Sequence, residues 1–270
     1  MSGAIFLETL RRGWRGMLWW GLGIGSLGFV SIIIVPDVQT LEQMAELMET
    51  LPPFLIQALG GGDISFMATP EGYLALQYFS VTLIIFAVYA VVSGLNVSAN
   101  EEERGILDVF LSLPVARWRL VLEKFLAYSI LIAGAIIISF VCMWIGIRIT
   151  PSLAEVDMGK IIGATFAMLP ASLLVLAFTL FVAALVRRRG LAIALAAVFV
   201  IGSYFIDTIG RAAPDTFVSS LRAISFFAYY DGAGVMQNGL SWASMLILFI
   251  ATVVLLVGGI WCFQRRDVGL

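Results

Sequence analysis

Six long apolar stretches constrain the fold of this chain more than any other feature. They cover roughly residues 17–35, 74–98, 125–147, 161–186, 190–209 and 241–263. A helix needs about 20 apolar residues to cross the hydrocarbon core of a bilayer, which each stretch supplies. With 61% hydrophobic and only 13% charged residues, the composition also lies outside that of soluble domains. We therefore predict an all-α integral membrane protein with six transmembrane helices.

The sequence excludes several kinds of enzyme. It contains no histidine, which rules out Ser-His-Asp and Cys-His nucleophile systems and imidazole metal sites. It also has no GxxxxGK[ST] phosphate-binding loop. The connections between the apolar stretches leave little room for a separate soluble domain. We predict a single transmembrane permease domain over residues 1–270, with no nucleotide-binding domain and no catalytic, cofactor or metal site.

Ionisable residues are absent from the central parts of all six stretches. A charge within hydrocarbon costs about 2.5 to 3.5 kcal/mol on insertion scales, and proteins place charges there mainly for proton or ion work. Their absence argues against a proton-coupled or sodium-coupled carrier. Asp207 and Arg148 fall at the ends of stretches, where we expect their side chains to reach the lipid headgroups.

Positive charge is distributed unevenly between the two sides of the predicted bundle. Twelve of the 16 Lys and Arg residues fall on the side of the N-terminus. The loop at 36–73 on the other side has no Lys or Arg and carries six acidic residues. Because positive residues near span ends stay in the cytoplasm, both termini are predicted to be cytoplasmic. The chain is expected to cross an inner or plasma membrane several times.

The acidic outer loop has a helical pattern of its own. Apolar residues recur there at helical spacing at Val38, Leu41, Met44, Met48, Leu51 and Leu55. This predicts an amphipathic helix along the outer membrane surface, and a helix that only plugs the outer end of the bundle is the alternative. Further on, Thr69, Pro70 and Glu71 predict a helix start, because Thr caps a helix, Pro fits its first position and Glu faces its positive end.

The N-terminal stretch is amphipathic before it becomes apolar. Apolar side chains between residues 5 and 18 follow one helical face, and three arginines between residues 11 and 15 lie on another. This predicts an interfacial helix ahead of the first span, and a positively charged anchor is the alternative. Small residues in the first span predict a close helix contact. They are Gly21, Gly23, Gly25 and Gly28.

The densest polar segment lies on the cytoplasmic side between the second and third spans, at residues 100–124. Its charges are mixed, and Arg104 and Asp108 can pair at i,i+4. Ile106, Phe110 and Leu113 follow helical spacing. Pro114 forces a break before a second helix that runs into the third span. A short amphipathic helix of this kind suits docking into a groove of a partner protein.

This segment resembles the signature of ABC type-2 exporter permeases. In that pattern a Glu lies four residues before a Gly, then follow Thr-Leu-x-x-Leu-Leu-x-x-Pro-Val-Ser-Arg and, seven residues after the Arg, a Lys. The matching residues are Glu101, Gly105, Leu107, Leu111, Pro114, Val115, Arg117 and Lys124. The departures are Ile106 for Thr, Phe110 for Leu, Ala116 for Ser, and Glu123 for the common Gly before Lys.

The resemblance implies a partner and a mechanism. Members of the family pair two permease copies, identical or related, with two cytoplasmic ATP-binding cassette subunits, which bind the ATP and Mg. The segment between spans two and three acts as the coupling helix, and residues 211–239 are expected to form re-entrant helices before the sixth span. The coupling interface implied here consists of Glu101, Glu102, Glu103, Arg104, Gly105, Leu107, Leu111, Pro114, Arg117 and Lys124.

Two functions fit this resemblance. In the first, the chain is the permease subunit of an ATP-driven exporter for a hydrophobic or amphiphilic substrate, such as a lipid, a peptide or a drug-like molecule. In the second, a subunit of the same fold transmits motion to an outer-surface partner without moving a solute, and the acidic loop is its contact surface. In both, the chain is not itself an enzyme. Membrane lipid surrounds the spans, and no nucleic-acid partner is expected.

The predicted topology is testable by labelling with a membrane-impermeant thiol reagent. Single cysteines placed at residues 40–50 are expected to label from outside the cell, and those at residues 101–112 only after the membrane is opened. The opposite pattern would overturn the orientation.

Overall fold

The computed structural model describes residues 3–34, 69–97, 116–150, 156–186, 188–213 and 216–265, with residues 40, 43, 46, 47, 50, 52, 66 and 153 between them. In chain order the helices are α1 (Ala4–Ile33), α2 (Pro70–Leu95), α3 (Arg117–Ile149), α4 (Met158–Leu185), α5 (Arg189–Ala212), α6 (Phe217–Leu221), α7 (Phe226–Tyr229), α8 (Gly232–Asn238) and α9 (Trp242–Arg265). The described residues contain no strand. Within them, α1 to α5 and α9 are long and apolar enough to cross a membrane. The predicted all-α fold with six spans is confirmed.

Helix α1 differs from the expectation of a separate interfacial helix. It runs without a break for 30 residues, or about 45 Å at 1.5 Å per residue. The hydrocarbon core is only about 30 Å thick. The amphipathic stretch is therefore the first three turns of the spanning helix itself, because nothing in Ala4–Ile33 interrupts its backbone hydrogen bonding.

Helix α2 begins as its sequence predicts. The Thr69 hydroxyl accepts a hydrogen bond from the Gly72 backbone N–H at 3.1 Å, and Pro70 occupies the first position of the helix. One turn later the helix widens into a π-helical turn at Ala75–Phe79. Such turns are rare inside helices and often lie at functional sites.

The long helices form two units that share one buried core, and α3 packs against α4 and α9 where the units meet. Helix α1 lies along α3, whereas α4 contacts both α2 and α9. Glycines permit the contacts in the second unit, since a Cβ on Gly94 of α2 would lie 2.7 Å from the Cβ of Thr179 in α4. Helix α4 is the most buried of the six spans, with 72% of its most apolar window inside the protein against 28% for α1. It is the central helix of the bundle.

Helix α5 lies at the edge of the bundle. The face that it turns inward carries mainly small residues, at Ala192, Ala196, Val200, Ser203, Asp207 and Gly210. Its other faces expose large apolar side chains, among them Val198, Ile201 and Phe205. Apolar side chains directed away from the bundle suit contact with lipid or with another apolar helix.

The predicted glycine face of α1 is confirmed at three of its four positions. A Cβ on Gly21 would lie 2.9 Å from the Ile138 Cβ of α3, and one on Gly25 would lie 2.8 Å from the Cys142 Cβ. Gly28 accommodates the ring of Tyr78 in α2. Gly23 differs, because no atom lies within 4 Å of the position of its Cβ.

These contacts predict different effects for two matched substitutions. Gly25→Ala is expected to destabilise the protein by about 1 to 3 kcal/mol, because the added methyl overpacks the contact with α3. Gly23→Ala, two residues away, adds the same methyl in open space, so it is expected to keep the stability or raise it by up to about 1 kcal/mol through the higher helix propensity of Ala. Thermal unfolding in detergent measures both, and equal melting temperatures for the two variants would contradict the packing described here.

Candidate functional site: the two ends of the bundle

The predicted coupling segment joins the two packing units. It follows α2, which belongs to one unit, and precedes α3, which belongs to the other. The structure describes Arg117 and Lys124 from the predicted interface. The other eight residues lie outside the described part of the chain, and they are Glu101, Glu102, Glu103, Arg104, Gly105, Leu107, Leu111 and Pro114. Their role stays a prediction.

Lys124 connects the two helices that flank this segment, α2 and α3. Its Nζ donates a hydrogen bond to the carbonyl of Val97 at 3.2 Å, just past the end of α2. The side chain is buried, with 2% of its surface exposed. A cation at a helix C-terminus satisfies a carbonyl that has no partner within the helix and interacts favourably with the helix dipole. Lys124 therefore holds the start of α3 against the end of α2.

Glu123 makes the corresponding contact with α1. Its carboxylate accepts hydrogen bonds from the backbone N–H of Gly3 at 3.2 Å and of Phe6 at 3.3 Å. It also accepts one from Arg119 Nε at 2.9 Å, one helical turn back on α3. The first N–H groups of a helix have no partner within it, and an anion there also meets the positive end of the dipole. Glu123 thus caps α1 from a different helix.

Sequence reasoning treated Glu123 only as a departure from the family pattern. The one local signal was Arg119 at i,i+4. The capped residues lie 120 and 117 positions away in the chain, so no local pattern indicated them.

A charged network holds together the opposite end of the bundle. The Asp207 carboxylate on α5 accepts hydrogen bonds from Arg211 Nε at 2.8 Å and from Arg222 Nε at 3.1 Å. Arg211 also pairs with Asp231 at 3.4 Å. Asp207 is buried, with 7% of its surface exposed. The expectation that it reaches the headgroups is wrong, because its helix turns it inward, where two arginines compensate its charge.

The short helices before α9 fold back along α5. The Ser225 hydroxyl donates a hydrogen bond to the Ser203 carbonyl at 2.7 Å. The ring centroid of Phe226 lies 5.6 Å from that of Phe199. Helix α5 ends at Ala212. The contact with Phe199 lies about 20 Å back along the helix from that end, at 1.5 Å per residue. This is the backbone course that re-entrant helices require.

The π-helical turn of α2 connects this end to α3. The buried Tyr230 hydroxyl donates to the Phe79 carbonyl at 3.2 Å. On the adjacent residue, the Tyr78 hydroxyl forms a buried hydrogen bond with Ser139 of α3. The turn therefore contacts both the folded-back segment and the other packing unit.

Comparison with known families identifies the class of protein. The sequence model of a family described as ABC-2 family transporter protein matches residues 17–268. The chain belongs to this family of ABC transporter membrane proteins. Its members are permease subunits that associate with an ATP-binding cassette subunit and typically catalyse no reaction themselves. No curated protein matches the chain at a significant level.

The network around Asp207 predicts the effect of a single isosteric change. Asp207→Asn is expected to destabilise the protein by on the order of 3 kcal/mol, because it leaves Arg211 and Arg222 without their shared anion. The matched control is Asp157→Asn, since Asp157 is an exposed cap of α4 and Asn caps equally well. Thermal unfolding measures both, and a stable Asp207→Asn protein would contradict the role assigned to the network.

Proposed function

We propose that the chain couples ATP hydrolysis by a separate cassette ATPase to the export of a hydrophobic or amphiphilic substrate. One observation carries the proposal beyond family membership. The segment that resembles the coupling helix lies between α2 and α3, which belong to different packing units. A displacement of this segment would therefore act where the two units meet.

Each unit has contacts that keep it together during such a motion. Helices α1 and α3 share the close contacts at Gly21 and Gly25. Between the units, Lys124 bonds Val97 and Tyr78 bonds Ser139, and α3 packs against α4 and α9. Packed interfaces of this kind move by small shifts between discrete arrangements. Rocking of one unit against the other would open a path toward the outer side.

The chemistry of the spans favours an apolar or amphiphilic cargo. The charged residues described on the six spans lie toward their ends, and no ion pair crosses the middle of the described bundle. A groove between α3 and α4 is lined by Ile136, Ile137, Phe140, Ile162 and Phe166. Such surfaces do not replace the hydration shell of a free ion.

The assembly that we propose contains two cassette subunits and two permease copies, either identical or related. The cassettes bind the ATP and Mg, and this chain contributes the membrane path. The uneven distribution of Lys and Arg supports an inner or plasma membrane location with both termini in the cytoplasm. The first three turns of α1, with Arg11, Arg12 and Arg15, then lie at the cytoplasmic surface.

Reconstitution with the cassette ATPase distinguishes an exporter from a subunit that transmits motion to an outer-surface partner. ATP-dependent movement of an amphiphile across vesicles, tested with a panel of lipids and drug-like molecules, supports the exporter. ATP hydrolysis that responds to an outer-surface partner, with no solute moved, supports a mechanical transmission subunit. The acidic loop at 36–73 is the surface that such a partner would contact.

The coupling interface is tested by two arginines on the same helix. Arg117→Ala, at the first residue of α3, is expected to lower the affinity for the cassette ATPase about tenfold, as loss of an interfacial arginine commonly does. Arg148→Ala is the matched control, because Arg148 lies at the other end of α3 with its guanidinium over Trp144.

Co-purification and stimulation of ATP hydrolysis measure both variants. Equal ATPase binding by wild type, Arg117→Ala and Arg148→Ala would count against the placement of the interface at residues 101–124.

A further inference from the structure

Glu123 is the feature that the proposed function does not yet explain. Its side chain is 14% exposed and one oxygen, Oε1, bonds both Arg119 and the Gly3 N–H. The other oxygen, Oε2, bonds the Phe6 N–H. The carboxylate therefore accepts from two different helices, and its charge strengthens each of these hydrogen bonds.

The position of Glu123 gives this contact its importance. Glu123 and Lys124 are neighbours, so the residue that caps α1 is adjacent to the residue that binds the end of α2. Both lie within eight residues of the start of α3 at Arg117. A displacement of the coupling segment reaches this part of α3 before it reaches the glycine contacts deeper in the bundle.

The first turn of α1 lies ahead of the close glycine contacts between α1 and α3. The nearest of them is at Gly13, about 14 Å along the helix from Ala4, where an added Cβ would meet the side chain of Leu131 in α3, and those at Gly21 and Gly25 lie further on. Arg12 near the start of α1 pairs with Glu8 of the same helix at 2.6 Å, so this ion pair does not connect α1 to α3. The Glu123 carboxylate adds charge-assisted hydrogen bonds from α3 to the backbone at this end of α1.

We propose that Glu123 is the positioning residue that makes the first turns of α1 move with α3 when the coupling segment moves. This inference rests on the proposed function, in which the cassette ATPase drives that movement. It adds a defined route: the segment moves the start of α3, and Glu123 carries the motion to α1 through the Gly3 and Phe6 N–H groups. Arg119 holds the carboxylate in the orientation that reaches both.

Hydrogen–deuterium exchange of the full-length permease tests the contact itself without any ATPase. In Glu123→Ala, the amides of residues 3–10 are expected to exchange about tenfold faster than in wild type, as loss of a helix cap predicts. Glu123→Gln keeps one acceptor oxygen and the size of the side chain, so an intermediate rate is expected. Glu8→Ala is the matched control, because it removes an exposed carboxylate and its pairing with Arg12 from the same turns of α1 and should change the rate by no more than about twofold.

The same measurement on the complex with its cassette ATPase tests the transmission of motion. In wild type, trapping the nucleotide-bound state is expected to change the exchange of residues 3–10 and of residues 117–124 together. In Glu123→Gln the nucleotide-induced change in exchange at residues 117–124 should remain, and the change at residues 3–10 should fall at least threefold. Binding of the ATPase should be unchanged, since Glu123 is not proposed to contact it.

The outcomes separate this inference from the proposed function. If nucleotide alters neither region in wild type, coupling through this end of the bundle is wrong, and the role of Glu123 falls with it. If residues 117–124 respond but residues 3–10 do not, or if Glu123→Gln responds fully in both regions, coupling stands and the role of Glu123 is overturned. Exchange at residues 3–10 that is identical in wild type and Glu123→Ala would also overturn it.

Discussion

Glu123 and Lys124 stand next to each other on helix α3, and each satisfies the backbone of a different helix. The carboxylate binds the N–H groups at the start of α1, and the ammonium binds a carbonyl at the end of α2. Helix termini leave backbone groups unpaired, which is costly near or within a membrane. Two adjacent charges of opposite sign therefore fix three helices at the end of the bundle where the proposed coupling segment joins α2 to α3.

The opposite end of the bundle is also held together by charged side chains, but in a different arrangement. There Asp207, Arg211 and Arg222 join α5 to the short helices that fold back beside it. Between the two ends, the helices meet mainly through glycines and small side chains, and the buried polar contacts are hydroxyl hydrogen bonds such as Tyr78 with Ser139. The chain thus combines charged contacts at both ends with close packing of small residues between them. This combination suits a permease that is driven from one end.

The sequence predicts those parts of this arrangement that depend on local or periodic information. The six spans follow from runs of apolar residues, and the start of α2 follows from Thr69, Pro70 and Glu71. The partners of Glu123 and Asp207 do not follow, because their positions depend on how distant helices pack. Asp207 at the end of an apolar run is typical of a residue that reaches the headgroups, and only the return of the chain after α5 brings Arg222 to it. The sequence also predicts an interfacial helix separate from the first span. The structure has no break there, because the amphipathic turns continue into the spanning helix.

Spin-label distances in the complex with the cassette ATPase test the central claim most directly. One pair joins the two packing units, with labels at the exposed Leu126 of α3 and Leu185 of α4. The other lies within one unit, with labels at Gly16 of α1, where a side chain has open space, and at the exposed Ile130 of α3. With one labelled permease per complex, trapping the nucleotide-bound state is predicted to change the first distance by more than about 2 Å and to leave the second unchanged. Two unchanged distances in an actively hydrolysing complex, or equal changes in both, would contradict the account of two units driven from the α2–α3 end.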